Sequence, residues 1–462
     1  MRWVRLPASN VRRLLLVSAE TGLLVTTFLV ATWVRLGMEG LEAPRVMTKA
    51  LLAAFLIQLF LYYGDLYEQF ASPDRLEFAI GLARAFLGGT LALAIVFFTI
   101  PALRVGRGVL LIFLPVAFVA FFAWRTAGLD LWKQEALRDR VLILGTGRSA
   151  QALARDTMRL APLDFQIVGF LAERAAEVGK SIVNPSVIGT LADLPRVVRE
   201  EQVSRVVVAL EDFRGRLPVA DLLRCRLAGV KVEEITTFLE RLTGKIPVRD
   251  LRPSWLVFSE GFNRPRLFPN TKRSVEFVLA LVGLILASPV LGLLILLVKL
   301  DSRGPVLYGQ ERVGERGRPF LLYKLRTMRV DAEAGTGPVW SQRDADPRVT
   351  RVGRLLRKLR LDEIPQLFNI LRGEMSFVGP RPERPHFVEQ LRSVIPYYDE
   401  RHTVKPGITG WAQIKFGYGS NLEDAEEKLQ FDLFYVKNMS PLLDLSIVFH
   451  TVKVMLLGRG AR

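Results

Sequence analysis

Four long apolar runs precede residue 130, at about 14–34, 47–63, 78–100 and 108–124, and a fifth extends from Val275 to Val298. Each is near the ~20 residues that an α-helix needs to cross a bilayer. Half of the 462 residues are hydrophobic and mean hydropathy is +0.25, too apolar for an ordinary soluble enzyme. Residues 1–130 are therefore predicted to form a four-helix transmembrane domain. Arg2, Arg5, Arg12 and Arg13 precede the first run and place that end in the cytoplasm. The run is too long for a signal peptide and lacks a small-residue cleavage site. Four crossings return the chain to the cytoplasm near Arg125. Glu20 and Arg84 fall inside apolar runs and are expected to pair within the bundle or to snorkel.

The net charge is +17. On a membrane protein this predicts contact with anionic lipid headgroups and phosphate-bearing substrates. No helix-turn-helix, RNA-binding or zinc motif supports a nucleic-acid partner. The single cysteine, Cys225, excludes an intrachain disulfide and reads as a small core residue. His386, His402 and His450 are too widely spaced to suggest a histidine metal site.

Residues 139–245 read differently. Val141-Leu142-Ile143-Leu144 is a short buried-strand run, followed by Gly145-Thr146-Gly147-Arg148-Ser149-Ala150 and a helical pattern. Further strands are expected at 165–171, 204–209 and 230–235, with helices between them, which predicts a parallel α/β, Rossmann-like domain. The loop fits G-x-G-x-x-A, so Gly145 and Gly147 are a possible nucleotide loop, with Glu173 placed as a ribose-binding acid. A scaffold or dimerisation role, in a homodimer, is the competing expectation. Residues 246–271 are rich in Pro and Arg and read as a linker.

The densest concentration of chemistry lies between Asp346 and Pro382. Asp346-Pro347-Arg348 signals a turn. A basic helix is expected next, with Leu355, Leu356 and Leu359 on its apolar side, ending in the adjacent carboxylates Asp362 and Glu363. Gly379-Pro380-Arg381-Pro382 is a rigid turn carrying an arginine. Two acids among many cations suit a phosphate ester, a metal and a nucleophile. The spacing also permits plain surface ion pairs, Lys358 with Asp362 and Arg360 with Glu363, worth only ~0.3–0.5 kcal/mol each. Upstream, Phe320 to Lys324 reads as a strand delivering Lys324 and Arg326. Residues 331–345 read as a mobile lid, Glu426 to Val436 as a helix carrying Asp432 and Tyr435, and Leu442 to Leu457 as an amphipathic helix on the bilayer.

Four segments in order carry a family resemblance: Lys324-Leu325-Arg326-Thr327-Met328, the Asp362-Glu363 stretch, Gly379 to Pro382, and Lys405-Pro406-Gly407-Ile408-Thr409-Gly410-Trp411. From roughly Lys272 to Arg462 the chain resembles the bacterial sugar transferases, the monotopic polyprenyl-phosphate phosphoglycosyl transferases. Leu242-Thr243-Gly244-Lys245-Ile246-Pro247 and Gly458-Arg459-Gly460 resemble the subgroup associated with exosortase-type exopolysaccharide systems. The resemblance implies transfer of a sugar 1-phosphate from a UDP-sugar to polyprenyl phosphate, with release of UMP. Asp362 would be the nucleophile, Glu363 would help it hold Mg²⁺, and Lys324, Arg326 and Arg381 would bind phosphate. Asp432 would be a polar partner near the metal.

The resemblance also addresses the fifth run. A fifth full crossing would place Asp362 outside the cytoplasm, away from nucleotide sugars. The family instead has a re-entrant helix broken at a Ser-Pro pair, here Ser288-Pro289, entering and leaving on the cytoplasmic face of the bacterial inner membrane. A Pro-kinked transmembrane helix is the competing reading. Glu276 stands where many relatives carry Asp. The expected division is thus a transmembrane bundle (1–130), a Rossmann-like domain (139–245), the linker, a re-entrant helix (272–300) and a mostly α catalytic domain (301–462). Two other functions compete. A membrane-bound nucleotide-sugar dehydratase or epimerase would need Tyr-x-x-x-Lys, and none of the nine tyrosines has Lys four residues on. A non-enzymatic assembly scaffold is compatible with residues 1–250, but an intact Asp362-Glu363 pair argues against it for the C-terminal half.

Overall fold

The computed structural model describes residues 8–67, 75–132, 138–162, 164–210, 217–249, 251, 253–259, 261–262, 268–330, 332, 348–416 and 421–456. The expected lid (apart from Ala332), the Asp346-Pro347 turn and the Gly458-Arg459-Gly460 tail lie outside these residues. The chain divides into two units, Met1–Glu233 and Glu234–Arg462.

The first unit opens with α1 (Ala8–Glu42), α2 (Val46–Tyr63), α3 (Arg75–Thr99) and α4 (Arg107–Trp132). All four contain stretches long and apolar enough to cross a membrane. They bury Leu24, Phe28, Ile57, Leu82, Phe113 and Phe121 against one another and leave Leu87, Leu91, Phe98 and Leu111 exposed, as a bundle facing lipid requires. Glu20 is fully buried and pairs with Arg125 of α4 at 2.5 Å, while Arg84 is exposed. The expected intramembrane ion pair thus has a different cation, because α4 and not α3 lies beside that turn of α1.

A parallel sheet follows. Its elements are β1 (Asp139–Leu144), α5 (Arg148–Leu160), β2 (Phe165–Ala172), β3 (Val187–Thr190), α6 (Leu194–Glu200), β4 (Arg205–Val208), α7 (Val219–Leu227) and β5 (Lys231–Glu234). The strand order is β3-β2-β1-β4-β5, with β1 parallel to both β2 and β4. This is the doubly wound order in which loops at the carboxyl ends of β1 and β4 meet at a switch point. Four residues of β1 are fully buried, which explains the unbroken Val-Leu-Ile-Leu run. Cys225 is buried in this core.

The second unit starts earlier than the sequence implies. After α8 (Ile235–Thr243), Ile246, Val248, Leu251 and Trp255, the last on α9 (Pro253–Phe258), are buried in one core with Val388, Leu391, Leu429 and Leu433. The expected linker is therefore structural. Its Pro and Arg content masked apolar residues too irregularly spaced to register as an element.

Next comes α10 (Phe268–Asp301), then the antiparallel hairpin of β6 (Leu307–Val313) and β7 (Pro319–Leu325). α11 (Arg351–Lys358), α12 (Gln366–Arg372), β8 (Ser376–Val378), α13 (Pro385–Val394), β9 (Gly407–Thr409), α14 (Trp411–Lys415), α15 (Leu422–Asn438) and α16 (Pro441–Leu456) complete the unit. The helix α10 does not break at Ser288-Pro289. Pro289 has no N–H for the carbonyl of Ile285, four residues back. The Ser288 hydroxyl donates to that carbonyl instead, at 2.7 Å. Serine before proline thus keeps the backbone satisfied where no water is at hand.

Both ends of α10 are tied to the same unit. At one end Lys272 pairs with Asp444 at 2.7 Å, and Arg273 donates to the carbonyls of Ile370 and Leu371, capping α12. Glu276 accepts from the Ser376 hydroxyl and from the Phe377 N–H through the same carboxylate oxygen. At the other end Asp301 accepts from the Val352 N–H at 3.0 Å, and Leu294 and Val298 pack on Leu325 and Leu356. Between these anchors, Val282, Ile285, Leu286 and Leu293 are exposed.

Candidate active site

The basic helix and the carboxylate pair are separate elements. α11 is capped by Thr350, whose hydroxyl accepts from the Gly353 N–H at 3.0 Å. Gly353 is needed because a Cβ there would lie 2.1 Å from the Thr327 carbonyl oxygen. After α11 the chain reverses at Arg360, which adopts φ 54°, and Leu361–Glu363 forms a single 3₁₀ turn leading into α12. The carboxylates therefore do not continue the basic helix. A 3₁₀ turn separates successive side chains by about 120°, so Asp362 and Glu363 face different surroundings.

Glu363 is enclosed by cations. Its Oε1 accepts from Lys324 at 3.2 Å and from Arg381 at 3.4 Å, and Arg360 stands 4.0 Å from Oε2. Burial opposes its ionisation, but Lys324, Arg381 and Arg360 outweigh that and hold its carboxyl at about 2. Asp362 is 7 % exposed. No other described residue forms a hydrogen bond or ion pair with its carboxylate, and the expected Lys358 pair is absent among the described contacts. Burial pushes this carboxyl above the usual aspartate range, Lys324 and Arg357 offset part of that, and the negative charge of Glu363 adds to it. Two neighbouring acids pushed in opposite directions are the pattern of acids with different tasks. Glu363 is held through Oε1 by Lys324 and Arg381, while the Asp362 carboxylate is bonded to no other described residue.

The supporting frame comes from distant parts of the chain. β7 delivers Lys324. The turn bearing Arg381 follows β8, which pairs in parallel with β9. Gly379 and Gly407 permit this approach, because a Cβ on Gly407 would fall 2.1 Å from the Gly379 nitrogen. Arg401 donates to the Arg381 carbonyl at 2.9 Å and to the Tyr398 hydroxyl at 2.8 Å. Arg312 donates to the Pro382 carbonyl at 2.9 Å.

Arg326 and Asp432 of the same unit do not touch the carboxylate pair. Arg326 is buried against Ser302, donating to its carbonyl at 2.6 Å and hydroxyl at 2.9 Å, and forms no described contact with either carboxylate. Asp432 pairs with Arg401 at 2.8 Å. Burial pushes its carboxyl up to about 6 although Arg401 opposes this. It therefore supports the Arg381 turn and has no described contact with Glu363. In the first unit, Gly145 has φ 110°, and a Cβ there would meet the Ala209 carbonyl at 2.8 Å. Gly147 precedes α5, and Thr146 donates to Glu177 at 2.6 Å. Glu173 directly follows β2. Arg357 and Arg401 were not singled out from sequence. Arg357 looked like one more charge on a basic helix, and nothing in the spacing of Arg401 and Asp432, 31 positions apart, links them.

Residues 268–458 match the bacterial sugar transferase family, and residues 65–214 match a CoA-binding domain family. The chain is 43% identical over 242 residues to a UDP-N-acetylgalactosamine-undecaprenyl-phosphate N-acetylgalactosaminephosphotransferase of Aeromonas hydrophila, covering 52% of this chain and 56% of the relative. It is 38% identical over 275 residues to a UDP-glucose:undecaprenyl-phosphate glucose-1-phosphate transferase of Escherichia coli (strain K12), covering 57% of each chain. A Caulobacter vibrioides protein of the same description is 41% identical over 212 residues, covering 45% of this chain and 79% of the relative. The chain thus spans somewhat over half the length of the first two of these relatives. The order of motifs and the extent of these matches make the chain a member of the bacterial sugar transferase family.

Proposed function

We propose that the chain transfers a sugar 1-phosphate from a UDP-sugar to undecaprenyl phosphate, as a first membrane step of exopolysaccharide or other surface-glycan synthesis. The carrying observation is the Asp362 carboxylate, bonded to no other described residue, beside a Glu363 held by Lys324, Arg381 and Arg360. An Asp362 oxygen attacks the β-phosphorus of the donor. The bond to the bridging oxygen breaks and UMP leaves, with the phosphosugar held on aspartate. A phosphate oxygen of the polyprenyl phosphate then attacks that phosphorus, releases Asp362 and forms the polyprenyl diphosphosugar. Splitting the transfer in this way predicts ping-pong kinetics. Lys324 and Arg381 offset charge on the donor phosphates.

Two adjacent hard carboxylates suit Mg²⁺, and the described residues hold no larger acidic or histidine cluster that would complete its shell. Asp362 and Glu363 would hold such an ion together with donor phosphate oxygens and water, and it would offset developing negative charge. The geometry of α10 supports a helix that dips into one leaflet. Polar anchors at Lys272, Arg273 and Asp301 tie both ends of the helix to one unit. This reading places the catalytic unit on the cytoplasmic face of the inner membrane.

The test is incubation with UDP-sugar alone. About one equivalent of UMP per site should appear in a burst, and a quenched digest should carry the phosphosugar on the peptide containing Asp362. Turnover only after polyprenyl phosphate is added, with no burst and no adduct, would overturn the covalent route in favour of direct transfer.

A further inference from the structure

A cleft of about 210 Å³ opens beside Glu363. Arg360 and Glu363 line it, and Ile364, Leu367, Ile408, Ile414, Val454 and Met455 supply most of the walls. The polar groups on these walls are largely spent on one another. The hydroxyls of Thr409 and Thr451 share a hydrogen bond at 2.6 Å, and Gln413 donates to the Ile408 carbonyl at 3.1 Å. Gln413 Oε1 alone is left without a donor among these groups. A sugar or a nucleoside carries many donors and acceptors, and this lining would strip them of water without replacing their partners. The volume is also below the roughly 300–1,000 Å³ of drug-sized ligand sites, too small for a nucleotide sugar but sufficient for the start of a chain.

The outer surface of α16 continues the apolar character. Leu442, Leu445, Phe449, Val452 and Met455 are exposed at three- and four-residue intervals, forming one stripe. Met455 ends that stripe and lines the cleft. An apolar path therefore leads along α16 to a chamber that an arginine and a carboxylate also line.

We infer that this cleft binds the first isoprene units of the polyprenyl phosphate acceptor, with the acceptor's phosphate beside Arg360 and Glu363. The inference rests on the transfer reaction proposed above and assigns α14 and α16 as the walls of the acceptor site. Such an arrangement brings the attacking phosphate to the carboxylate pair while its lipid remains out of water.

A polyprenyl phosphate analogue with a diazirine on its first isoprene unit tests this directly. Photolysis with the full-length protein in nanodiscs should label the peptides spanning residues 408–416 and 451–456. Labelling confined to α10 or to α1–α4 would overturn the assignment. Ile414→Trp and Val454→Trp fill the cleft from different walls. Each should raise the KM for polyprenyl phosphate tenfold or more, with the KM for UDP-sugar changed less than twofold. A rise in the donor KM instead would make the cleft a donor site and overturn the inference. If a variant fails to fold, the wild-type crosslink still decides. Crosslinking without any lipid-linked sugar product would mean that the site stands and the transfer reading fails.

Discussion

Arg401 and Asp432 are buried together, 2.8 Å apart, and the same guanidinium nitrogen donates to the main-chain carbonyl of Arg381. An acid expected beside a metal is instead the counter-ion of the residue that holds the turn bearing Arg381. Arg401→Met should leave Asp432 as an uncompensated buried charge, costing about 3–5 kcal/mol. Thermal unfolding in detergent should show this as a lowered midpoint. The pH dependence has a definite sign. The Asp432 carboxyl is raised from 3.8 to about 6, so its contribution to stability is present below 3.8 and lost as pH rises through about 6. Wild type should therefore lose stability relative to Asp432→Asn across that window, read from paired unfolding curves at pH 4 and 8.

On the proposed covalent route, Asp362→Asn should lower transfer by several orders of magnitude, because a neutral amide cannot form the acyl phosphate. The residue is buried, so the expectation of an inconsequential surface ion pair does not apply to its stability. Its carboxyl is raised, which means that ionisation at neutral pH costs folding energy. The amide avoids that cost, and the variant should unfold at the same temperature as wild type or higher.

Glu363→Gln should behave differently. It removes the counter-ion of Lys324, Arg381 and Arg360. The held-down carboxyl contributes stability that is present above 4.5 and lost as pH falls through about 2. At pH 7 the variant should therefore be less stable than wild type and should bind UDP-sugar more weakly. Unfolding curves and donor KM report the two effects separately.

Truncation tests the domain boundary. A chain starting near Asn270 lacks Ile246, Val248, Leu251 and Trp255 from the catalytic core, together with Glu240, which pairs with Lys437 at 2.5 Å. It should aggregate or unfold at a markedly lower temperature. A chain starting near residue 230 keeps these contacts and should retain transfer in nanodiscs.

Topology reporters after Leu41, after Arg104 and at the C-terminus should read outside, outside and inside. A periplasmic C-terminus would show that α10 crosses. Ser288→Ala leaves the Ile285 carbonyl bare beside Pro289 and should lower stability by ~1–3 kcal/mol, measured by thermal unfolding in nanodiscs. Pro289→Leu restores the N–H and should shift reporters toward crossing.

Hydrophobic run lengths alone determined four membrane helices and a fifth unusual one, and strand-like runs between turn signals determined the parallel domain. The Asp362-Glu363 pair was also legible, since adjacent acids inside a basic stretch are a local pattern. Tertiary structure decided everything that depends on partners distant in the chain. Glu20 meets Arg125 and not Arg84, Arg401 meets Asp432, and residues 246–258 fill a core instead of linking domains. Even the neighbouring carboxylates part company only in three dimensions. Arg360 turns the chain into a left-handed conformation, and the cations from β7 and from the turn after β8 then reach Glu363, while no other described residue bonds the Asp362 carboxylate. Periodicity and composition act over a few residues and can be read from a string. Electrostatic environment and packing depend on which remote segments converge, and only folding sets that.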